Sequence, residues 1–75
     1  MITAFVLIKV VVGSEDIVVD NLKVLPGVEE VHFTYGDYDV ICKIKTENMT
    51  IMKEFILEKI RKMDFIVTTA TLIVM

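Results

Sequence analysis

The chain has 75 residues, which is enough for one small domain, and its composition excludes several classes of protein. The eight lysines and arginines are scattered and the formal net charge is −3, so we expect no direct binding to nucleic acid, which needs a concentrated basic surface. Cys42 is the single cysteine, which excludes an intrachain disulfide framework and suits a reducing, cytoplasmic setting.

The apolar content points to self-association rather than to a membrane. The longest apolar runs, AFVLI and VTTATLIVM, are well short of the ~20 residues that span a bilayer. Hydrophobic residues nevertheless make up 55% of the chain, and a domain of this size buries only ~60% of the surface of its unfolded chain. Oligomerisation would bury the apolar surface that a single domain leaves exposed. The abundance of Ile, Val, Glu and Lys, without Gln or Trp, leans towards a thermophilic source.

Residues 1–12 are predicted to form a strand that is apolar on both faces. Lys9 lies on the second of these faces with three apolar neighbours. The first face carries Ile2, Ala4, Val6, Ile8 and Val10, and the second carries Phe5, Leu7 and Val11. A strand of this kind belongs in the middle of a sheet.

A first helix is predicted after Gly13. Ser14 is in position to cap it, and Glu15 and Asp16 suit the positive end of the helix dipole. Pro26-Gly27 stops the helix and turns the chain. The residues expected on its buried stripe are Val18, Leu22 and Leu25.

Two strands, 28–35 and 38–46, are predicted to form a hairpin around Gly36-Asp37. A two-residue loop that begins with glycine suits a type II′ turn. The resulting register gives one apolar face, which pairs Tyr35 with Tyr38, Phe33 with Val40, Val31 with Cys42, and Glu29 with Ile44. The other face pairs Thr34 with Asp39, His32 with Ile41, and Glu30 with Lys43, the last as an ion pair.

A second helix is predicted over ENMTIMKEFILEKIRKMD, followed by a last strand, FIVTTATLIVM. Glu58 and Lys62 have the spacing of a helical ion pair. The buried stripe is expected to contain Met52, Phe55 or Ile56, Ile60 and Met63. The order βαββαβ predicts an α+β, ferredoxin-like fold with a four-stranded antiparallel sheet and both helices on one face. A second copy of the sheet is the simplest cover for the other face.

Few residues offer chemistry. His32 would need a partner such as Asp39 to act as a base, and a lone surface histidine is the commoner case. Cys42 lies on the apolar hairpin face without a second ligand nearby, so we interpret it as a core residue and expect neither a metal nor a cofactor. No nucleophile–histidine arrangement is present, and we therefore expect no enzyme.

The polar residues of the last two strands leave two interpretations open. Thr68, Thr69 and Thr71 suit a strand by propensity alone, but a row of hydroxyls can also orient a small polar molecule. Asp39 is disfavoured within a strand, so it either blocks a sheet edge or provides a carboxylate for the ammonium group of an amino acid.

The chain resembles the C-terminal ligand-binding domain, or RAM domain, of the leucine-responsive/AsnC (Lrp/AsnC) family of transcriptional regulators. The resemblance is carried by four segments in this order: LKVLPGVEEV, GDYDV, a following KI and the closing TATLIV. The resemblance extends over essentially all of the chain. It implies sheet-packed dimers of the dimeric α/β-barrel type, assembly of dimers into rings, and amino-acid binding between dimers. By the same resemblance, the ligand-binding positions are Gly36, Asp37, Tyr38 and Asp39 in the hairpin loop, with Thr69 and Thr71 in the last strand.

The sequence departs from the family pattern at two points. The helix-turn-helix segment of the full regulators does not precede Met1, so we expect a single stand-alone domain, residues 1–75, which could co-assemble with a full-length regulator. Phe65-Ile66 replaces the glycine–valine that usually precedes the last strand. Our first hypothesis is a non-enzymatic amino-acid sensor; the alternatives are a small dimeric α/β-barrel enzyme that uses His32 and Asp39, and a structural oligomer without a ligand.

Overall fold

The computed structural model describes all 75 residues and has the predicted βαββαβ order. All four strands belong to one antiparallel sheet. The elements are β1 (Ile2–Val10), α1 (Glu15–Lys23), β2 (Val28–Phe33), β3 (Val40–Thr46), α2 (Met49–Phe55), a π-helical turn that continues α2 (Ile56–Ile60), and β4 (Ile66–Ile73). The predicted ferredoxin-like fold is confirmed.

The strand order is β2-β3-β1-β4, which places β1 inside the sheet as its sequence predicts. Phe5 of β1 lies opposite Lys43 of β3 on one side and opposite Leu72 of β4 on the other. Because side chains alternate along a strand, these three residues share one face of the sheet. The two edges of the sheet are β2 and β4.

The two faces of the sheet differ in burial, and we name them here. The core face packs against the helices, where Val18 and Leu22 of α1, with Met52 and Ile60 of the second helical segment, are fully buried. Its fully buried strand residues are Ala4, Val6, Ile8, Val40, Cys42 and Ile44. The open face has no covering layer and carries the partly buried Phe5, Leu7 and Ile41 with the more exposed Leu72. Full burial of one large aliphatic side chain contributes roughly 1.5–3 kcal/mol.

The hairpin register is confirmed for four of the predicted pairs and corrected at one. Glu30 lies opposite Lys43 and Phe33 opposite Val40, as predicted, but Ile44 lies opposite Val28 rather than Glu29. The shift arises from a β-bulge, in which one extra residue of β2 is left unpaired. The bulge returns the apolar Val28 to the core face and leaves the Glu29 carboxylate exposed.

The predicted type II′ turn and the predicted strand ends at 35 and 38 are wrong. The strands stop at Phe33 and Val40, and the last backbone bond runs from the Thr34 N–H to the Asp39 carbonyl at 2.9 Å. Four residues, 35–38, therefore form the loop instead of two. Tyr35 is fully exposed and does not pack on the apolar face with Tyr38, because it falls within this wider loop.

The ends of the helices follow the sequence in part. Ser14 occupies the cap position of α1, but its hydroxyl makes no capping hydrogen bond; the Glu15 carboxylate instead accepts from the Gly13 N–H at 3.2 Å. α2 is capped by Asn48, whose side-chain oxygen accepts from the Ile51 N–H at 2.9 Å. The Glu58–Lys62 ion pair forms, at 2.8 Å. No helix is both long and apolar enough to cross a membrane.

Candidate functional site

The six predicted site residues fall into two groups: the loop residues lie at one end of the sheet, with Thr69 near the same end and Thr71 opposite Val6 in the middle of β1. Gly36 to Asp39 lie in the β2–β3 loop, and Thr69 and Thr71 lie on β4. Thr69 pairs with Ile8, and Ile8 pairs with Val40 at the start of β3. Because neighbouring strands are ~4.8 Å apart, Thr69 lies about 10 Å from the point where the loop ends. One chain thus places the two groups near each other but not in contact.

Asp39 is held in place by the central strand. Its carboxylate oxygen Oδ2 accepts a hydrogen bond from the Val10 N–H at 2.9 Å, and its own N–H donates to the Ile8 carbonyl at the same distance. The side chain therefore extends the β3–β1 ladder by one hydrogen bond. The alternative that Asp39 blocks a sheet edge is wrong, because β3 is an internal strand.

The loop carries unused hydrogen-bonding groups. The Thr34 hydroxyl donates to the Tyr38 carbonyl at 2.7 Å and closes the loop from within. The backbone N–H groups of residues 35–38, by contrast, have no hydrogen-bond partner, and neither has the Oδ1 oxygen of Asp39. Gly36 has φ = 132°, which other residues rarely adopt, and a side chain there would meet nothing within 4 Å. Glycine is therefore required by the backbone and not by lack of space.

The two β4 threonines lie beside different depressions on the core-face side of the strand. Thr71 borders an apolar groove of about 310 Å³, whose other lining residues are Met49, Lys53, Ile56, Leu57 and Ile73. Thr69 borders a shallow pocket of about 190 Å³ with Arg61 and the first residues of β4. The Arg61 guanidinium makes no ion pair within the chain. The first depression suits apolar groups, and the second suits an anion.

His32 makes no hydrogen bond with Asp39. Its Nε2 atom lies 3.1 Å from Glu30 Oε1, and Lys43 Nζ lies 3.6 Å from the other oxygen of the same carboxylate. The hydrogen bond from His32 and the charge of Lys43 lower the pKa of the Glu30 carboxyl below 4.5. The predicted Glu30–Lys43 ion pair is confirmed, and His32 belongs to the same surface cluster.

Cys42 is fully buried on the core face, as the hairpin register predicts. Burial raises the pKa of its thiol from 9.0 to about 11, although a hydrogen bond with the Val6 backbone works in the opposite direction. The neutral thiol therefore predominates at physiological pH, and the residue behaves as a small apolar side chain.

Phe65 is a feature that the sequence marked only as a departure from a family pattern. Its φ is 71°, in the left-handed region that glycine adopts without strain. Its carbonyl accepts from the Val11 N–H at 2.8 Å and brings the chain back beside β1. A glycine would adopt this φ without strain, and this chain places a half-exposed phenylalanine there.

The arrangement defines a small α+β domain, and comparison with known proteins identifies its family. Residues 3–75 match the family model described as the Lrp/AsnC ligand binding domain. The chain belongs to the Lrp/AsnC family.

Relatives and solved structures agree with this assignment. The chain is similar to the HTH-type transcriptional regulator FL11 of Pyrococcus horikoshii, with 39% identity over 72 residues, which cover 96% of this chain and 47% of the relative. It thus spans about half the length of the curated relatives it matches. It superimposes on FFRP-DM1 with a TM-score of 0.97 and 41% identity, covering 100% of both chains. The likeness to AsnC of E. coli has a TM-score of 0.91 and 26% identity, covering 97% of this chain and 50% of AsnC.

Proposed function

We propose that this chain is a non-enzymatic, amino-acid-sensing module of the Lrp/AsnC type that works as an oligomer. Its family membership and the regulatory names of its relatives support a role in the control of transcription. The finer proposal is that the ligand is a free amino acid, and it depends on the chemistry of the loop. The residues proposed to bind it are Gly36, Asp37, Tyr38 and Asp39, together with Thr69 and Thr71.

The observation that carries this proposal is the set of unpaired groups on the β2–β3 loop. Successive backbone N–H groups can bind an anion such as a carboxylate where a turn makes them converge, and those of residues 35–38 are not used within the chain. The Oδ1 atom of Asp39 is a free anionic acceptor beside them, held in place because Oδ2 is bonded to Val10. A free amino acid presents a carboxylate and an ammonium group a few ångströms apart, which matches this pair of partners in charge.

Thr69 and Thr71 would come from a neighbouring copy in the assembly. In a single chain two strand spacings, about 10 Å, separate Thr69 from the end of the loop. A site built between copies would bring the loop of one chain to β4 of another. The apolar groove beside Thr71 then offers a place for an aliphatic side chain of the ligand.

The open face is the proposed dimer interface. It carries Phe5, Leu7 and Ile41 on the two internal strands, with Lys43 beside Phe5 and the charged residues of β2 at one edge. The apolar residues would supply the buried centre of an interface. Packing of two open faces would form a dimeric α/β barrel, and such dimers would join into a ring. A ligand held between dimers shifts the balance of assembly states only by its differential affinity for them. Co-assembly with a full-length Lrp/AsnC regulator would transmit the response to DNA.

A thermal-shift screen of the twenty amino acids tests the sensor proposal. A ligand present at 100 times its dissociation constant stabilises the folded state by ~2.7 kcal/mol, so a binder should raise the melting temperature clearly. Asp39→Asn keeps an oxygen acceptor for the Val10 N–H but removes the charge, and it should abolish the shift. Asp20→Asn, on the exposed surface of α1, is the matched control and should leave the shift unchanged.

The sensor proposal fails if no amino acid changes the melting temperature, or if Asp39→Asn responds like the parent chain. The enzyme alternative relied on His32 beside Asp39, and that contact is not formed, because His32 pairs with Glu30 and Asp39 with Val10. A turnover that disappears in His32→Ala would revive this alternative.

A further inference from the structure

Lys9 is the residue of the central strand that neither the fold nor the proposed site explains. Lysine is disfavoured within strands, and its open-face neighbours along β1, Phe5 and Leu7, are apolar. The Lys9 side chain is exposed, makes no hydrogen bond and forms no ion pair within the chain. Its ammonium group therefore keeps all of its donors unused, at a position where an apolar residue would simply extend the face.

The backbone places Lys9 directly beside Asp39. Ile8 pairs with Val40 across the β1–β3 ladder. One residue further on, the Asp39 N–H donates to the Ile8 carbonyl and the Asp39 Oδ2 atom accepts from the Val10 N–H, both at 2.9 Å. Asp39 is thus bonded to the residues on either side of Lys9 and lies opposite it, at the Cα separation of about 5 Å that antiparallel neighbours have.

Lys9 and Asp39 belong to a polar row that crosses the open face next to the β2–β3 loop. Thr68 of β4 pairs with Lys9 on the other side, and its exposed hydroxyl makes no hydrogen bond. The register of the β1–β4 ladder shifts directly after Lys9, and irregularities such as bulges recur beside active sites, where they redirect a side chain. The next row towards the centre of the sheet has the apolar Ile41 and Leu7 at the corresponding positions. A cation, an anion and a free hydroxyl are therefore gathered at one end of the face.

We propose that Lys9 binds the carboxylate of the amino acid whose ammonium group is bound by Asp39, with the Thr68 hydroxyl as a second donor. The inference rests on the proposed function and adds a partner for the opposite charge of the ligand. An α-amino acid carries its two charged groups on the same carbon atom, and Lys9 and Asp39 present the complementary pair as direct cross-strand neighbours. The loop N–H groups can donate to the same carboxylate. Lys9 adds a full positive charge, which makes the hydrogen bond stronger.

This arrangement predicts selectivity for zwitterions. The primary amide of an amino acid keeps the ammonium group and the side chain but lacks the negative charge that Lys9 would neutralise. The polar row is also the last row of the open face before the loop, so it lies at an end of the proposed dimer interface and not at its centre. Removal of the Lys9 charge should therefore change the preference for the carboxylate without removing the apolar contacts of Phe5 and Leu7.

Titration calorimetry with each of the twenty amino acids and its primary amide, on the full chain, tests the role of Lys9. An amino acid that binds should bind the parent chain at least about tenfold more tightly than its amide does, because a charge-assisted hydrogen bond is lost. Lys9→Met should lose about tenfold in affinity for the amino acid and keep its affinity for the amide. Lys9→Arg should retain most of the preference. Lys59→Met, on the exposed π-helical turn, is the matched control and should behave like the parent.

Three results would overturn the inference. One is the same preference for acid over amide in Lys9→Met and in the parent chain. Another is an equal loss of affinity for acid and amide, which indicates a structural role. The third is a gain of affinity for both, which is expected if Lys9 only offsets the charge of Asp39. The proposed function survives each of these results where Asp39→Asn still abolishes binding. If no amino acid binds the parent chain, the proposed function itself fails, and the role of Lys9 with it.

Discussion

The two faces of one strand show what different parts of this molecule are for. On β1, the side chains of Ala4, Val6 and Ile8 are completely buried against the helices, whereas Phe5 and Leu7 between them are only partly buried. Both sets are apolar, so composition does not separate them. The core face stabilises the single chain, whereas the open face leaves apolar surface exposed, which the proposed dimer would bury. Substitutions on the two faces should therefore change different measurable quantities.

The largest expected effect comes from truncation on the core face. Ile8→Ala should lower the free energy of unfolding by about 3 kcal/mol at every protein concentration, since it leaves a cavity in a packed core. Leu7→Ala should cost ~1 kcal/mol or less in dilute solution but should shift the assembly towards smaller species. Chemical denaturation at two protein concentrations, with light scattering, distinguishes the two results. An equal loss for both variants in the monomeric range would contradict the difference between the faces.

Cys42 extends the comparison to pH. Its folded pKa of about 11 lies above the unfolded value of 9.0, so the neutral thiol stabilises the fold fully below pH 9 and this contribution is lost as the pH rises towards 11. Relative to Cys42→Ala, the parent chain should lose about 2 kcal/mol of stability over that range. Denaturation curves of both chains at pH 8, 9, 10 and 11 measure the difference. Parallel pH profiles would show that Cys42 is not desolvated on the core face.

The sequence predicts which residues lie on each face of the sheet, but it does not predict the bulge in β2 or the contacts of the β2–β3 loop. Alternation along β1 and the pairing of apolar residues across the hairpin predict both faces and most of the register. The bulge at Glu29 has no local signal, because it depends on Val28 reaching the core face. The bond between Asp39 and Val10 joins residues 29 positions apart, so it lies outside any local pattern. The site residues remain predictions, since their proposed ligand lies between chains.

At Phe65 the expected effect on stability comes from the backbone conformation and not from burial of the side chain on either face. Its φ of 71° is unfavourable for any residue with a Cβ atom. Phe65→Gly should therefore be about 1 kcal/mol more stable than Phe65→Ala, because both lose the ring but only alanine keeps the strain. Thermal denaturation of the two variants measures this difference. Equal melting temperatures would show that the turn before β4 relaxes to another conformation.

The smallest expected effect concerns the charged margin of the open face. The pKa of the Glu30 carboxyl is lowered from 4.5, first by the hydrogen bond from His32 and then by the charge of Lys43. The stabilisation from these contacts is therefore present above pH 4.5 and is lost as the pH falls through the lowered pKa. His32→Ala should move the pKa of Glu30 back towards 4.5, whereas Lys59→Ala on the exposed π-helical turn should leave it unchanged.

The same carboxyl also reports on whether the open face is covered. On a free surface, added salt screens the attraction of Lys43 and should raise the pKa of Glu30. Within a face-packed dimer the pair is partly removed from solvent and salt should have less effect. Carbon-detected NMR titrations at low and high salt, in dilute and concentrated protein, measure both conditions. Only the assembly differs between the two concentrations. If the effect of salt on the pKa of Glu30 is the same in both, Glu30 lies outside the dimer interface. The interface would then consist of Phe5, Leu7 and their apolar neighbours.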